Sequence, residues 1–222
     1  MFVSPLFSPV IYSVLWGIML FVILAFFPEQ KFAITEEGAL IEHITHFGYV
    51  LMIAAFFVYL KDFKGSRQQL FSWSVFLFLG VCAFLREAGI QHHLSKTDTT
   101  PFKSRFFLNE NNPLSEKIVF GLVLLIVFGA MAYVAVKYTK HLVTSFFKLN
   151  TVTWSIATLC TVLVFAKFMD RFPANYRHSH EMPLSRGAID LCSLLEESSE
   201  MFLPYLVIII LAQYHLLKKK EN

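Results

Sequence analysis

Six stretches of roughly twenty mostly apolar residues set the terms for this chain. They run from Pro9 to Phe27, Glu36 to Leu60, Leu70 to Glu87, Ile118 to Val136, Thr151 to Asp170 and Gly187 to Leu217. A hydrocarbon layer about 30 Å thick needs about 20 such residues to be crossed as a helix. Backbone groups in lipid must bond within their own segment or in a closed barrel. Runs this long lack the alternation over about ten residues that barrel strands show. The expected fold class is therefore all-α, a polytopic membrane helix bundle of six spans. No internal repeat, low-complexity tract or soluble domain interrupts it, so residues 1–222 read as a single integral membrane domain.

Composition excludes other classes. Apolar residues make up 56% of the chain and charged ones 16%, against about 25% charged in a typical soluble domain. Mean hydropathy is +0.57. A soluble enzyme, a disordered chain and a disulfide scaffold are all ruled out. The net charge of +3 is small and scattered, which excludes a nucleic-acid partner. Cys82, Cys160 and Cys192 have no zinc, haem or disulfide spacing and read as small buried hydrophobes. The first apolar run lacks a basic flank and a small-residue cleavage site, so it reads as a retained helix.

Orientation follows from the connections. Lys61, Lys64 and Arg67 occupy one, Lys137, Lys140 and Lys148 another, and Lys218, Lys219 and Lys220 end the chain. With six spans all three groups fall on one side, and that side is cytoplasmic by the distribution of Lys and Arg in short loops. Both termini are then cytoplasmic.

Counting inward from that side finds a polar layer. Glu42 lies 18 residues from Leu60, Arg86 16 from Leu70, Lys167 16 from Thr151, Asp170 19 from Thr151, and Glu200 17 from Leu217. At about 1.5 Å per residue these are all roughly 24–29 Å from the inner boundary. Ionisable groups at such depth face the bundle interior and find partners. Helical phase agrees. Thr35, Gly38, Glu42, Thr45, His46 and Tyr49 form one face of the second span, while Asp190, Ser193, Glu197 and Glu200 form a stripe on the last. Pro204 sits one turn further in and is expected to kink that helix.

Six of the eight histidines lie on the outer side: His43, His46, His92, His93, His178 and His180. Glu42 and His46, at i and i+4, can face one metal or share a proton. Carboxylate with imidazole suits zinc or another divalent first-row metal. Glu42, His46, Asp170, Glu197 and Glu200 are thus the expected ligands, with His178 and His180 on a loop that could cover them. A haem held between histidines of facing helices is disfavoured, because only the second span carries histidines well inside it.

The connection from Gly89 to Glu116 contains a turn at Thr97–Pro101 and then Phe102-Lys103-Ser104-Arg105-Phe106-Phe107. Alternating aromatic and basic residues fit an interfacial segment. Membrane lipids are the expected partner there, with Lys103 and Arg105 holding an anionic head group. Ser95-Lys96 does not read as a nucleophile pair. Asn112-Pro113 reads as an N-cap and first-turn proline for the fourth span.

Set side by side, the motifs are Glu36-Glu37-Gly38 with Glu42, Arg86-Glu87, Asp170-Arg171, and Glu196-Glu197 with Glu200. This set resembles a broad group of multi-pass bacterial inner-membrane proteins with an acidic-Gly…Glu start to an early helix, Arg-Glu and Asp-Arg pairs, and a late Glu-Glu-x-x-Glu. The resemblance implies a bacterial inner-membrane location and no particular activity. Two other families fit less well. Alkaline-ceramidase-like hydrolases carry a His pair where this last helix has carboxylates. The glutamate-type intramembrane proteases continue Glu-Glu-x-x-x-Arg, and here Met201 follows Glu196-Glu197 at the matching place.

The leading expectation is a metal-dependent hydrolase or transferase acting on a lipid or lipid-linked substrate near the periplasmic face. In it Glu196 is the general base, and Arg86 stands with Lys103 and Arg105 at a phosphate. Two alternatives stay open: a structural or assembly subunit, held by a protein partner or a second copy, and an ion or solute transporter. The transporter has a difficulty, since the inner halves of the spans offer only Thr, Ser and Tyr at mid-depth.

Overall fold

The computed structural model describes residues 2–26, 40–61, 63, 65–90 and 104–221. Among them the secondary structure is helical, in seven helices: α1 (Phe7–Phe26), α2 (Leu40–Lys61), α3 (Arg67–Glu87), α4 (Ser104–Leu108), α5 (Leu114–Phe147), α6 (Thr151–His180) and α7 (Arg186–Glu221). All but α4 are long and apolar enough to cross a membrane. The chain is an all-α, multi-pass membrane protein, as the apolar runs require.

Several helices outrun the expected spans, each for a local reason. Helix α3 begins earlier because Ser66 and Gln69 form a capping box, each side chain bonding the other's backbone N–H. It stops at Gly89, whose φ of 64° is open to a residue without Cβ. Helix α6 continues past Asp170 through Pro173. Its last turn carries Arg177, His178 and His180, cations suited to a helix C-terminus. His180 stacks on Tyr176 at 4.2 Å. His178 and His180 therefore stand on a helix, not on the expected loop. Helix α7 likewise runs unbroken past Pro204.

The helices gather into two compact units, residues 1–55 with 145–222, and residues 56–144. In the first, α6 and α7 share the broadest packing, and α1 leans on both. Contacts fix the directions. Lys167 meets Glu200 and Ser155 meets Gln213, so α6 and α7 are antiparallel. Ser8 pairs with Ser155, and Trp16 meets Phe165, so α1 runs parallel to α6. Ile23, Ile41, Leu194 and Met201 form one core cluster, which brings the start of α2 to α7. Further along, a Cβ on Gly48 would lie 2.8 Å from Pro204 Cγ and from the Tyr205 ring. Only a bare Cα lets α2 come so near, and Tyr205 Oη donates to the Ile44 carbonyl beside it at 2.9 Å.

In the second unit, Phe106 of α4 is fully buried and packs edge-on against Phe107 and Phe120. Asn112 donates its amide to the Phe106 carbonyl at 2.7 Å. The first helical bond of α5 runs from Lys117 N–H to the Pro113 carbonyl. Asn112 thus ties α4 to the start of α5.

Candidate functional site

Helices α6 and α7 bring four ionisable groups together. Lys167 Nζ lies 2.9 Å from Glu200 Oε1, 3.7 Å from Glu196 Oε1 and 3.5 Å from Asp170 Oδ2. Glu196 and Glu200 are one turn apart on α7, and Lys167 and Asp170 nearly so on α6, so antiparallel packing makes the four converge. Glu200 is buried and Lys167 half-buried, with Asp170 towards the edge. Arg171 Nε reaches the same Asp170 oxygen at 3.8 Å from an exposed position.

A wall of small and aromatic residues stands at this level. Ser198 and Ser199, between the two carboxylates in sequence, are fully buried. Trp16 of α1 donates its indole N–H to Ser198 Oγ at 3.0 Å and touches the Phe165 ring. Pro204, four residues after Glu200, has no N–H to give to the helical ladder.

A second polar group closes the other end of the same unit. The buried Ser155 Oγ donates to Gln213 Oε1 at 2.6 Å and lies 2.5 Å from Ser8 Oγ. Gln213 Nε2 donates to the Phe2 carbonyl, and Thr151 Oγ1 to the Val3 carbonyl. Twelve residues of helix separate Ser155 from Lys167, or about 18 Å. Between α1, α2 and α7 lies an apolar cavity of about 260 Å³, lined among others by Leu15, Ile44, Phe202 and Ile209.

The expected site residues fare differently. Asp170, Glu196 and Glu200 come together, around a lysine. Glu42 and His46 pair with each other on α2, Oε1 to Nε2 at 3.7 Å. Glu42 adjoins Ile41 of the shared core cluster and so lies near the height of the α7 carboxylates. Glu197 is half-buried, about 100° around α7 from Glu196. Among the described residues no three His, Cys, Asp or Glu side chains are placed to hold one metal ion. The five expected ligands are not gathered as a set, and an ammonium stands among two of them, Asp170 and Glu200, and the expected base Glu196. Arg86, at the end of α3, and Arg105, on α4, are exposed and belong to the unit formed by residues 56–144. Lys103, His92, His93, Ser95, Lys96, the Thr97–Pro101 turn, Thr35 and Glu36-Glu37-Gly38 lie outside the described residues.

Sequence reasoning placed Lys167 in the layer without seeing it as the centre. It passed over Gly48 and Gln213. A glutamine near the end of an apolar span was the available signal for the second polar group. Compared with known proteins, the chain matches no family model, no curated protein and no solved structure.

Proposed function

We propose that the protein is a cation- or proton-handling membrane protein, of the transporter class, whose working site is the carboxylate cluster around Lys167. One observation carries this reading: a single ammonium within 4 Å of three carboxyl groups. Its charge and the Arg171 guanidinium on Asp170 together offset two negative charges and leave one over. The surplus is met by protons or by a second cation, because uncompensated charge in a low-dielectric interior is costly. Lys167 acts as a tethered cation. Its side chain is 35% exposed, so it can swing away when an incoming cation takes its place between Glu196 and Glu200.

The Ser8–Ser155–Gln213 group supports the same reading. It puts polar side chains at a second depth of the same three helices, where sequence offered little. On the Lys/Arg distribution, we assign the cluster to the periplasmic half of a bacterial inner membrane. A hydrolase or transferase would need a divalent metal where the ammonium stands, and the pairing distances favour exchange of the ammonium over that.

The test is purified protein in liposomes loaded with a pH-sensitive dye, with a sodium or potassium gradient imposed. The wild type is expected to move protons or cation, and Glu200→Gln to lose at least tenfold of that rate. Absence of flux, or equal flux in the variant, defeats the reading.

A further inference from the structure

A second cluster lies in the other unit, with the opposite charge. Lys137 of α5 donates from Nζ to Ser72 Oγ of α3 at 2.7 Å and to Tyr133 Oη, one turn back, at 2.8 Å. Those two hydroxyls are 2.9 Å apart. Ser72 Oγ also donates to the Gln68 carbonyl at 2.9 Å. One assignment of hydrogens satisfies the whole set. Ser72 gives its proton to Gln68, Tyr133 gives its proton to Ser72, and both oxygens accept from the ammonium. An ammonium has three donors, and Tyr138 is the third side-chain partner within its reach. The rings of Tyr133 and Tyr138 flank the cation at 5.1 and 5.5 Å. Among the described residues no carboxylate lies within ion-pair distance of it.

The level is also marked. Ser72 is about 7 Å along α3 from its first residue, Arg67. Tyr59, Trp73, Tyr133 and Tyr138 gather at this height, with Trp73 on Tyr59 at 4.6 Å and Phe76 on Tyr138 at 5.5 Å. Tyrosine and tryptophan concentrate where hydrocarbon meets head groups. Lys140 follows one turn beyond Lys137 and is exposed.

We propose that Lys137, held by Ser72 and Tyr133, is a binding site for a phosphate-bearing anion at the membrane surface. The ligand is the phosphate of an acidic lipid head group or a free phosphate. The hydroxyls fix the ammonium in one position, which lowers the entropy lost on binding. The aromatic rings exclude water from its sides, which strengthens an ammonium–phosphate bond formed there in exchange for the Tyr138 contact. Lys140 adds a second positive charge within reach of the same anion.

The experiment titrates purified full-length protein in neutral detergent with short-chain phosphatidylglycerol, with short-chain phosphatidylcholine, and with inorganic phosphate. Thermal stability is the readout, since a ligand that binds only the folded form raises Tm. Phosphatidylglycerol is expected to raise Tm where phosphatidylcholine does not. Lys137→Gln weakens the apparent affinity at least tenfold. Tyr133→Phe keeps the charge but frees the ammonium, and weakens it two- to fivefold. A response to phosphatidylglycerol alone identifies the lipid as the source, and an equal response to inorganic phosphate identifies the free anion. No response to either, or equal responses in wild type and Tyr133→Phe, overturns the proposal even if Lys137→Gln does not fold.

Discussion

At the scale of single residues, position within the α6/α7 cluster decides what each carboxylate is worth. Glu200 is buried and holds Lys167 at 2.9 Å, while Asp170 is exposed at 3.5 Å. Losing Glu200 removes the nearest and most buried partner of Lys167 but leaves Glu196 and Asp170 beside it, whereas exposed pairs contribute about 0–1 kcal/mol. Glu200→Gln should therefore cost about 1–3 kcal/mol, less than the roughly 3–5 kcal/mol of a fully buried pair, because Lys167 keeps two carboxylates and reaches water. Asp170→Asn should cost under about 1 kcal/mol. Thermal melts of both variants in one detergent check the ranking, and a larger loss in Asp170→Asn would contradict it. The carboxylates were legible in the sequence because charges inside apolar runs stand out. That they surround a lysine was not legible, since a linear count gives height along a helix but not which neighbour it faces.

At the scale of elements, close approach and end-to-end ties hold the first unit together. Gly48→Ala puts a methyl 2.8 Å from Pro204 and Tyr205. Overpacking of this kind costs about 1–3 kcal/mol. Gly129→Ala, where nothing lies within 4 Å, should be neutral or stabilising by up to about 1 kcal/mol through helix propensity. Comparing the two variants by melting separates a packing effect from a helix-propensity effect, and equal shifts would refute the close approach. Gln213→Leu removes the bond to the Phe2 carbonyl and the acceptor for Ser155. Ser155 keeps the Thr151 carbonyl and Ser8 as partners, so the cost of about 1–3 kcal/mol falls on the unpaired Phe2 carbonyl. Faster proteolysis at the N-terminus should accompany it, because that bond ties the chain start to α7. The extents of α6 and α7 also exceed what hydropathy outlined. Polar residues after Asp170 end a hydrophobic run but do not end a helix, which stops where capping and backbone bonding stop.

At the scale of the whole molecule, charge has opposite signs in the two units: a carboxylate-rich cluster at Lys167 and, at Lys137, an ammonium with no carboxylate partner among the described residues. The first unit also makes a claim about metals. With Lys167 among the carboxylates, chelator should leave Tm unchanged, and added zinc should not raise it. A stabilisation of several degrees by stoichiometric zinc would return the expected ligand set, Glu42, His46, Asp170, Glu197 and Glu200, to consideration. The Phe2–Gln213 bond puts the start of the chain and the last turns of α7 at one end of their unit. Cysteines introduced at Leu6 and Leu217 should accordingly react with an impermeant reagent from the same side of a vesicle.

The amino-acid sequence alone determined that the chain is helical and crosses a membrane six times. The need to bury about twenty apolar residues per crossing, with every backbone group bonded inside its own helix, leaves no other solution. It also set the height of the charged groups, because rise per residue is fixed. Tertiary structure decided their partners. Which faces of α6 and α7 meet, how near α2 comes through Gly48, and which hydroxyls hold Lys137 depend on rotation and crossing of packed helices. Those follow from side chains far apart in the chain fitting one another, which no local pattern records.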